Sequence, residues 1–290
     1  MTHRHPHATP PPKRIIICAD DFAINASVSL GIAALAAQGR ISAASVMVLS
    51  PRWAQDASLL RPVCDRIDVG LHLDWTSSCA QSSGHGMSLE AAMCRAVLGG
   101  FDVSRSRAVI DKQLDLFERH WHRPPDYVDG HQHVQQFSGI RSALVEVLTH
   151  RYAGLPCRPY LRISRPPRGA AYPKARLIAL MGADALIRIA HHAQLTGVTS
   201  LLGVYDFAGG ASRFGTLMVQ WLAQIPNGGI IMCHPAQAAE PGDALGVARW
   251  QEFVYLGGIQ FLADLQCASA ELARGPHHGM AHASPPHPPP

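Results

Sequence analysis

The chain has 290 residues, 47% of them hydrophobic and 16% charged, and a formal net charge of +4. These values fit one large globular domain and exclude a disordered or fibrous chain. No apolar run approaches the roughly 20 residues of a membrane helix, and the opening MTHRHPHATPPPKR lacks the apolar stretch of a secretory signal, so a cytoplasmic protein without stable membrane insertion is expected.

Residues 1–13 and 275–290 hold ten of the 22 prolines and seven of the 17 histidines, which predicts disordered tails around one ordered unit at 14–274. Within that unit, Arg-Ile-Ile-Ile-Cys-Ala-Asp-Asp reads as a buried parallel strand ending in two carboxylates. Residues 25–38 show helical spacing closed by Gly39, and 42–49 predict a second strand before Pro51. The alternation continues with a strand at 68–73, a helix at 104–120, a short strand at 127–129 and a helix at 139–150. Strands follow at 160–163, around 198–204 and at 229–233, with helices at 174–194 and 213–224. Residues 77–100 read as an insertion over one end. The pattern predicts an α/β fold, a single (β/α) barrel of irregular, TIM-like form.

No glycine fingerprint follows the first strand, so a dinucleotide or P-loop site has no support. The basic residues, 22 Arg and 3 Lys, form no long run interleaved with aromatics, and nucleic acid is excluded as a partner. Seven scattered cysteines without a CxxC pair suggest neither a disulfide framework nor a zinc knuckle.

Chemistry is concentrated at the strand ends. Asp20 and Asp21 end the first strand, His72 lies in Val-Gly-Leu-His-Leu, Asp129 to His133 end another, and His234 follows Ile-Ile-Met-Cys. In a barrel such ends converge on one face. Taken singly, each has a plain reading: a helix cap for Asp20 or Asp21, a core histidine for His72, a loop residue for His234. Together they predict a metal-dependent active site. Adjacent carboxylates repel unless a cation or hydrogen bonds hold one ionised. His131 and His133 share strand parity, so in an extended segment both face one side and only one need bind metal.

Taken in order, Ile-Ile-Ile-Cys-Ala-Asp-Asp-Phe, Ser-Ala-Ala-Ser-Val-Met-Val, Val-Gly-Leu-His-Leu, Val-Asp-Gly-His-Gln-His-Val, Val-Tyr-Asp-Phe, Cys-His-Pro and the segment from Arg249 to Glu252 resemble the YdjC family of carbohydrate deacetylases. That family includes chitooligosaccharide deacetylases and the hopanoid-biosynthesis-associated members called HpnK. The resemblance, from about Ile15 to Leu256, implies a (β/α) barrel in which one divalent ion, magnesium or zinc, is held by an Asp and two His while a second Asp serves as base. Carried over by position, Asp21, His72 and His131 are the ligands and Asp20 the base. His234 becomes a candidate general acid, and His133 a substrate contact. The implied reaction removes the N-acetyl group from an acetylated amino sugar, an oligosaccharide or a glycolipid. Two residues depart from the pattern: Ala23 stands where the family commonly has Gly, which strains a turn, and Gln135 where it commonly has a third His, which is expected to alter substrate contact or, if that position is a ligand, to weaken metal binding.

Two further substrate contacts are candidates. Trp75 could stack on a sugar ring or simply pack at the barrel rim. Arg162 is the best placed of six basic residues between Arg158 and Arg176, a stretch without an acid, to recognise a phosphate or carboxylate, the plain reading being a solvated loop. Two imidazoles and one carboxylate suit Zn, Co or Ni better than Mg. The alternatives are a metal hydrolase of another amide or ester and a catalytically silent barrel that only binds; the sequence also leaves room for a homo-oligomer.

Overall fold

The computed structural model describes residues 11–170 and 172–278. Its first half comprises β1 (Lys13–Phe22), α1 (Ala26–Ala37), β2 (Ala43–Val46), α2 (Trp53–Leu60), β3 (Asp68–Leu73), α3 (Ser78–Ser82), α4 (Leu89–Leu98), α5 (Val103–Trp121), β4 (Tyr127–Gly130) and α6 (Ile140–Arg151). The second comprises β5 (Tyr160–Arg162), α7 (Pro173–Leu180), α8 (Ala183–His192), β6 (Gly197–Val198), β7 (Leu201–Leu202), α9 (Gly210–Gln224), β8 (Ile230–Cys233), α10 (Gly246–Gly257), α11 (Ile259–Cys267) and β9 (Ala270–Leu272).

The strands run in the order β6-β5-β4-β3-β2-β1-β8-β7, every pairing parallel, with β9 added beside the start of β1. The sheet curls into an incomplete barrel whose hydrogen-bonded edges are β6 and β7, wrapped by helices as parallel crossovers require. The expected irregular (β/α) barrel is therefore what forms.

Strand alternation divides the core in two. Ile15, Ile17 and Ala19 of β1, Val69 and Leu71 of β3, and Val128 and Leu161 of β4 and β5 face the helices. Ile16, Cys18, Tyr127, Tyr160, Ile230 and Met232 fill the barrel. Gly70 is required on the inner face, because a Cβ there would lie 2.4 Å from the Tyr127 ring.

Three expectations need correcting. The helix expected over 174–194 is two helices, α7 and α8, broken at Gly182, which has φ +136 and whose Cβ would sit 2.1 Å from the Gln136 carbonyl oxygen. The strand around 198–204 is two short pieces, separated where Ser200 adopts φ 67. Residues 275–278, expected in the disordered tail, carry structure: Gly275 N–H donates to Asp68 at 2.6 Å and Pro276–His278 forms a 3-10 turn. At the other end Lys13 is already in β1. Residues 1–10 and 279–290 lie outside the described residues. The seven cysteines are free, and no helix among the described residues is long and apolar enough to cross a membrane.

Candidate metal centre and active site

One layer above the inner core, the same alternation places Asp20 of β1, His72 of β3, Asp129 of β4 and Arg162 of β5 at one level. The Arg162 guanidinium donates to Asp20 twice, 2.6 Å to Oδ1 and 2.7 Å to Oδ2. Its Nε lies 2.8 Å from Asp129 Oδ2. Asp129 in turn accepts from His72 Nδ1 at 2.6 Å and from Ser45 Oγ at 2.6 Å. His72 Nε2 is thereby aimed at the other acids, 3.5 Å from Asp21 Oδ1 and 4.0 Å from Asp20 Oδ2.

Asp21 reaches the same place by breaking the alternation. The pairing of β1 with β2 shifts register between Ala19 and Phe22, and Asp21 and Ala23 adopt φ 69 and 74. Left-handed backbone at a non-glycine residue costs about 1–2 kcal/mol, which the surrounding structure must hold in place. Arg249 of α10 anchors Asp21 Oδ2 at 2.7 Å, and Oδ1 lies 3.2 Å from His131 Nδ1. The repulsion expected between adjacent carboxylates is met by a separate guanidinium for each.

Burial alone would raise both carboxyls, but Arg162 beside Asp20 and Arg249 beside Asp21 outweigh it and hold both well below the usual carboxylate range. Burial also opposes charge on His72, yet Asp129 and Asp20 push that imidazole up to about 10. A positive charge is wanted at this point, and a cation bound there would replace the proton. His133 and His234 go the other way: enclosure brings them down to about 3 and about 4, so both are neutral at neutral pH.

His131 opens a 3-10 segment, 131–136, instead of extending β4. Gln132 and His133 sit at φ 52 and 64, so a backbone kink, and not the shared strand parity expected for His131 and His133, brings both to the cavity. His133 Nδ1 lies 2.8 Å from Ser164 Oγ. His234 follows β8; its backbone N–H donates to Glu252, which also accepts from Tyr205 Oη at 2.6 Å. Its ring packs edge-on to Phe207, and its Nδ1 is buried without a hydrogen-bond partner among the described residues. Asp20, Asp21, His72, His131, His133 and His234 all line one cavity of about 300 Å³. Its remaining walls are largely apolar, built by Leu89, Met93, Leu177, Ile178, Met181 and Phe207.

The ligand atoms of Asp21, His72 and His131 lie within 4.8 Å of one another. The 3.2 and 3.5 Å separations from Asp21 Oδ1 match edges of a coordination polyhedron with bonds of about 2.0–2.2 Å. These residues fit one divalent cation with positions to spare, and Asp129 orients His72 through its other nitrogen as ligand histidines require. Cys18, Asp20 and Asp129 lie equally close, but the guanidinium of Arg162 already contacts all three.

Two expected substrate contacts lie elsewhere. Arg162 is fully buried beneath the carboxylates; its charge is committed to Asp20 and Asp129, so it orients the acids instead of meeting a substrate anion. Trp75 is 2% exposed and packs edge-on against His85 and Phe101, leaving no face for a sugar. Gln135, expected to alter substrate contact, is buried and braces β5 through the Arg162 carbonyl and Ser164 Oγ. The roles of Arg249 and Glu252 were not foreseen. Their signal was present: both occupy positions that helical periodicity assigns to the buried face shared with Ala248, Tyr255 and Leu256.

A family model described as YdjC-like protein matches residues 14–266. No curated protein matches the sequence significantly. Among solved structures, a candidate cellobiose-phosphate cleavage protein from Enterococcus faecalis V583 superposes with a TM-score of 0.66 at 17% identity, covering 91% of this chain and 97% of that one. A family 4 acetyl xylan esterase from Clostridium thermocellum, in complex with a cobalt ion, gives 0.48 at 8% identity over 90% and 88%. A family 4 carbohydrate esterase from Streptomyces lividans, in complex with acetate, gives 0.42 at 12% identity over 91% and 92%. The first of the three shows a shared fold.

Proposed function

We propose that this chain, which belongs to the YdjC-like family, is a hydrolase that removes the acetyl group from an N-acetylated amino sugar with the help of one divalent cation held by Asp21, His72 and His131. The observation that carries this reading is the convergence of those three ligand atoms beside Asp20 in one cavity. When bound, the cation would acidify a water and polarise the acetamide carbonyl.

The protein's own groups divide the remaining work. Asp20, ionised and fixed by two bonds from Arg162, orients the attacking water and takes its proton. His234 is neutral at rest; it becomes an acid for the leaving amine once the proton that Asp20 took from the water has passed to it, which leaves Asp20 ionised again. His133, set by Ser164, presents its other ring nitrogen to a substrate hydroxyl. The apolar walls support a glycolipid over a free oligosaccharide, which would call for polar groups and an open aromatic platform.

Acetate release across chitobiose, longer chitooligosaccharides, nucleotide-linked and lipid-linked N-acetylglucosamine tests the reading. Fastest release is expected from the lipid-linked substrate; release from none of them overturns the deacetylase assignment.

A further inference from the structure

The apolar wall of the cavity does not stop at its mouth. On α4, Leu89 and Met93 line the cavity, and Val97, one further helical step along the same face, is 71% exposed, with Leu98 beside it at 85%. On α7, Leu177 lines the cavity while 55% exposed, and Leu180, three residues on, is 82% exposed. Two helices that wall the site thus carry its apolar lining onto the outer surface. Scattered exposed leucines need no explanation, but a set continuous with a binding cavity does.

The charge around this rim is mostly basic, the one exposed acid of α4, Glu90, being offset by Arg95 on the same helix. Arg168, Lys174 and Arg176 are exposed on α7 and the loop before it, and no Asp or Glu occurs between Glu146 and Asp184. A second copy meeting this one α7 to α7 would bring the same cations together, and they would repel. A surface with fixed negative charge and an apolar interior satisfies both features.

We propose that the α4–α7 rim docks on an anionic lipid bilayer, inserting Val97, Leu98 and Leu180 at the headgroup boundary while Arg168 and Arg176 meet lipid phosphates, so that an amphiphilic substrate passes into the cavity without crossing water. This goes beyond the proposed deacetylation, because the docking is independent of which bond is cleaved.

The test is sedimentation of the full chain with phosphatidylcholine vesicles with and without phosphatidylglycerol, at low and high salt. The wild type binds the anionic vesicles, and salt weakens that binding. The double variant Leu98→Glu, Leu180→Glu binds at least about ten-fold more weakly, with an unchanged melting temperature and unchanged hydrolysis of a water-soluble acetamido sugar. Absence of wild-type binding, or equal binding by the variant, overturns the proposal. So does a wild-type dimer in light scattering that the same variant dissociates while vesicles are not bound, which assigns the face to a second copy. Vesicle binding of the expected pattern without any deacetylation supports the docking surface and removes the deacetylase reading alone.

Discussion

Asp20 and Asp21 are neighbours in sequence but belong to different electrostatic units: one is clamped by Arg162 across 142 positions, the other by Arg249 across 228. The division predicts distinct defects. Asp20→Asn keeps the metal and loses most hydrolysis, about 100-fold or more for a lost base. Asp21→Asn, His72→Ala and His131→Ala lose metal. Bound metal by mass spectrometry beside acetate release checks both, and normal turnover by Asp20→Asn would remove it from the base role. Arg162→Met leaves Asp20 and Asp129 buried without their shared cation, and an unpaired buried charge costs about 3–5 kcal/mol. Urea denaturation reads this directly; a loss below about 1 kcal/mol would return Arg162 to a peripheral role. Asp20, Asp21, His72, His131 and His234 were legible in the sequence because each ends a strand or follows one closely. Their partners were not, since nothing local to Arg162 or Arg249 signals a carboxylate so far away along the chain. Arg162, flanked by Leu161 and Ile163, points into the barrel as expected, but it lies beneath the carboxylates and meets Asp20 and Asp129 instead of a substrate anion.

At the scale of elements, the strands of the barrel were readable from continuous apolar runs, and β3 has the expected limits. What failed to register were elements whose form is set by distant backbone. The break between α7 and α8 depends on Gly182 lying against the Gln136 carbonyl, a contact that helical periodicity cannot reveal. Gly182→Ala forces both a forbidden φ and a clash with backbone, so a loss of about 2 kcal/mol or more is expected. Because α7 walls the cavity, hydrolysis should fall with it. A melting temperature equal to wild type would show that the chain crosses this point in some other way. The helix α10 was likewise missed, although it carries both Arg249 and Glu252 into the site; a helix with charges on its buried face blurs the usual apolar stripe.

On the scale of the whole molecule, the two ends of the barrel differ in kind. The carboxyl end holds the site; the amino end holds Asp68 and Asp126, bound by Arg274 and Arg123. Burial, with Asp68 close by, pushes Asp126 up to about 6. A carboxyl raised on folding contributes stability below its unfolded value of about 3.9 and loses it as pH rises through the folded value. Asp126→Asn keeps an acceptor for the Val69 N–H and removes the ionisation cost. The variant should therefore be more stable than wild type at pH 7.5, by about 1–3 kcal/mol, with no advantage at pH 4. An equal loss at both pH values would show that the carboxylate itself is needed.

The central claim is that Asp21, His72 and His131 hold a divalent cation on which hydrolysis depends. It is tested most directly by acetate release from an acetamido sugar after chelation and metal add-back, with wild type and Asp21→Asn compared at the same protein concentration. Chelation should abolish release, and a divalent cation should restore it in wild type but not in Asp21→Asn. Release that survives chelation, or is restored equally in both proteins, would contradict the account.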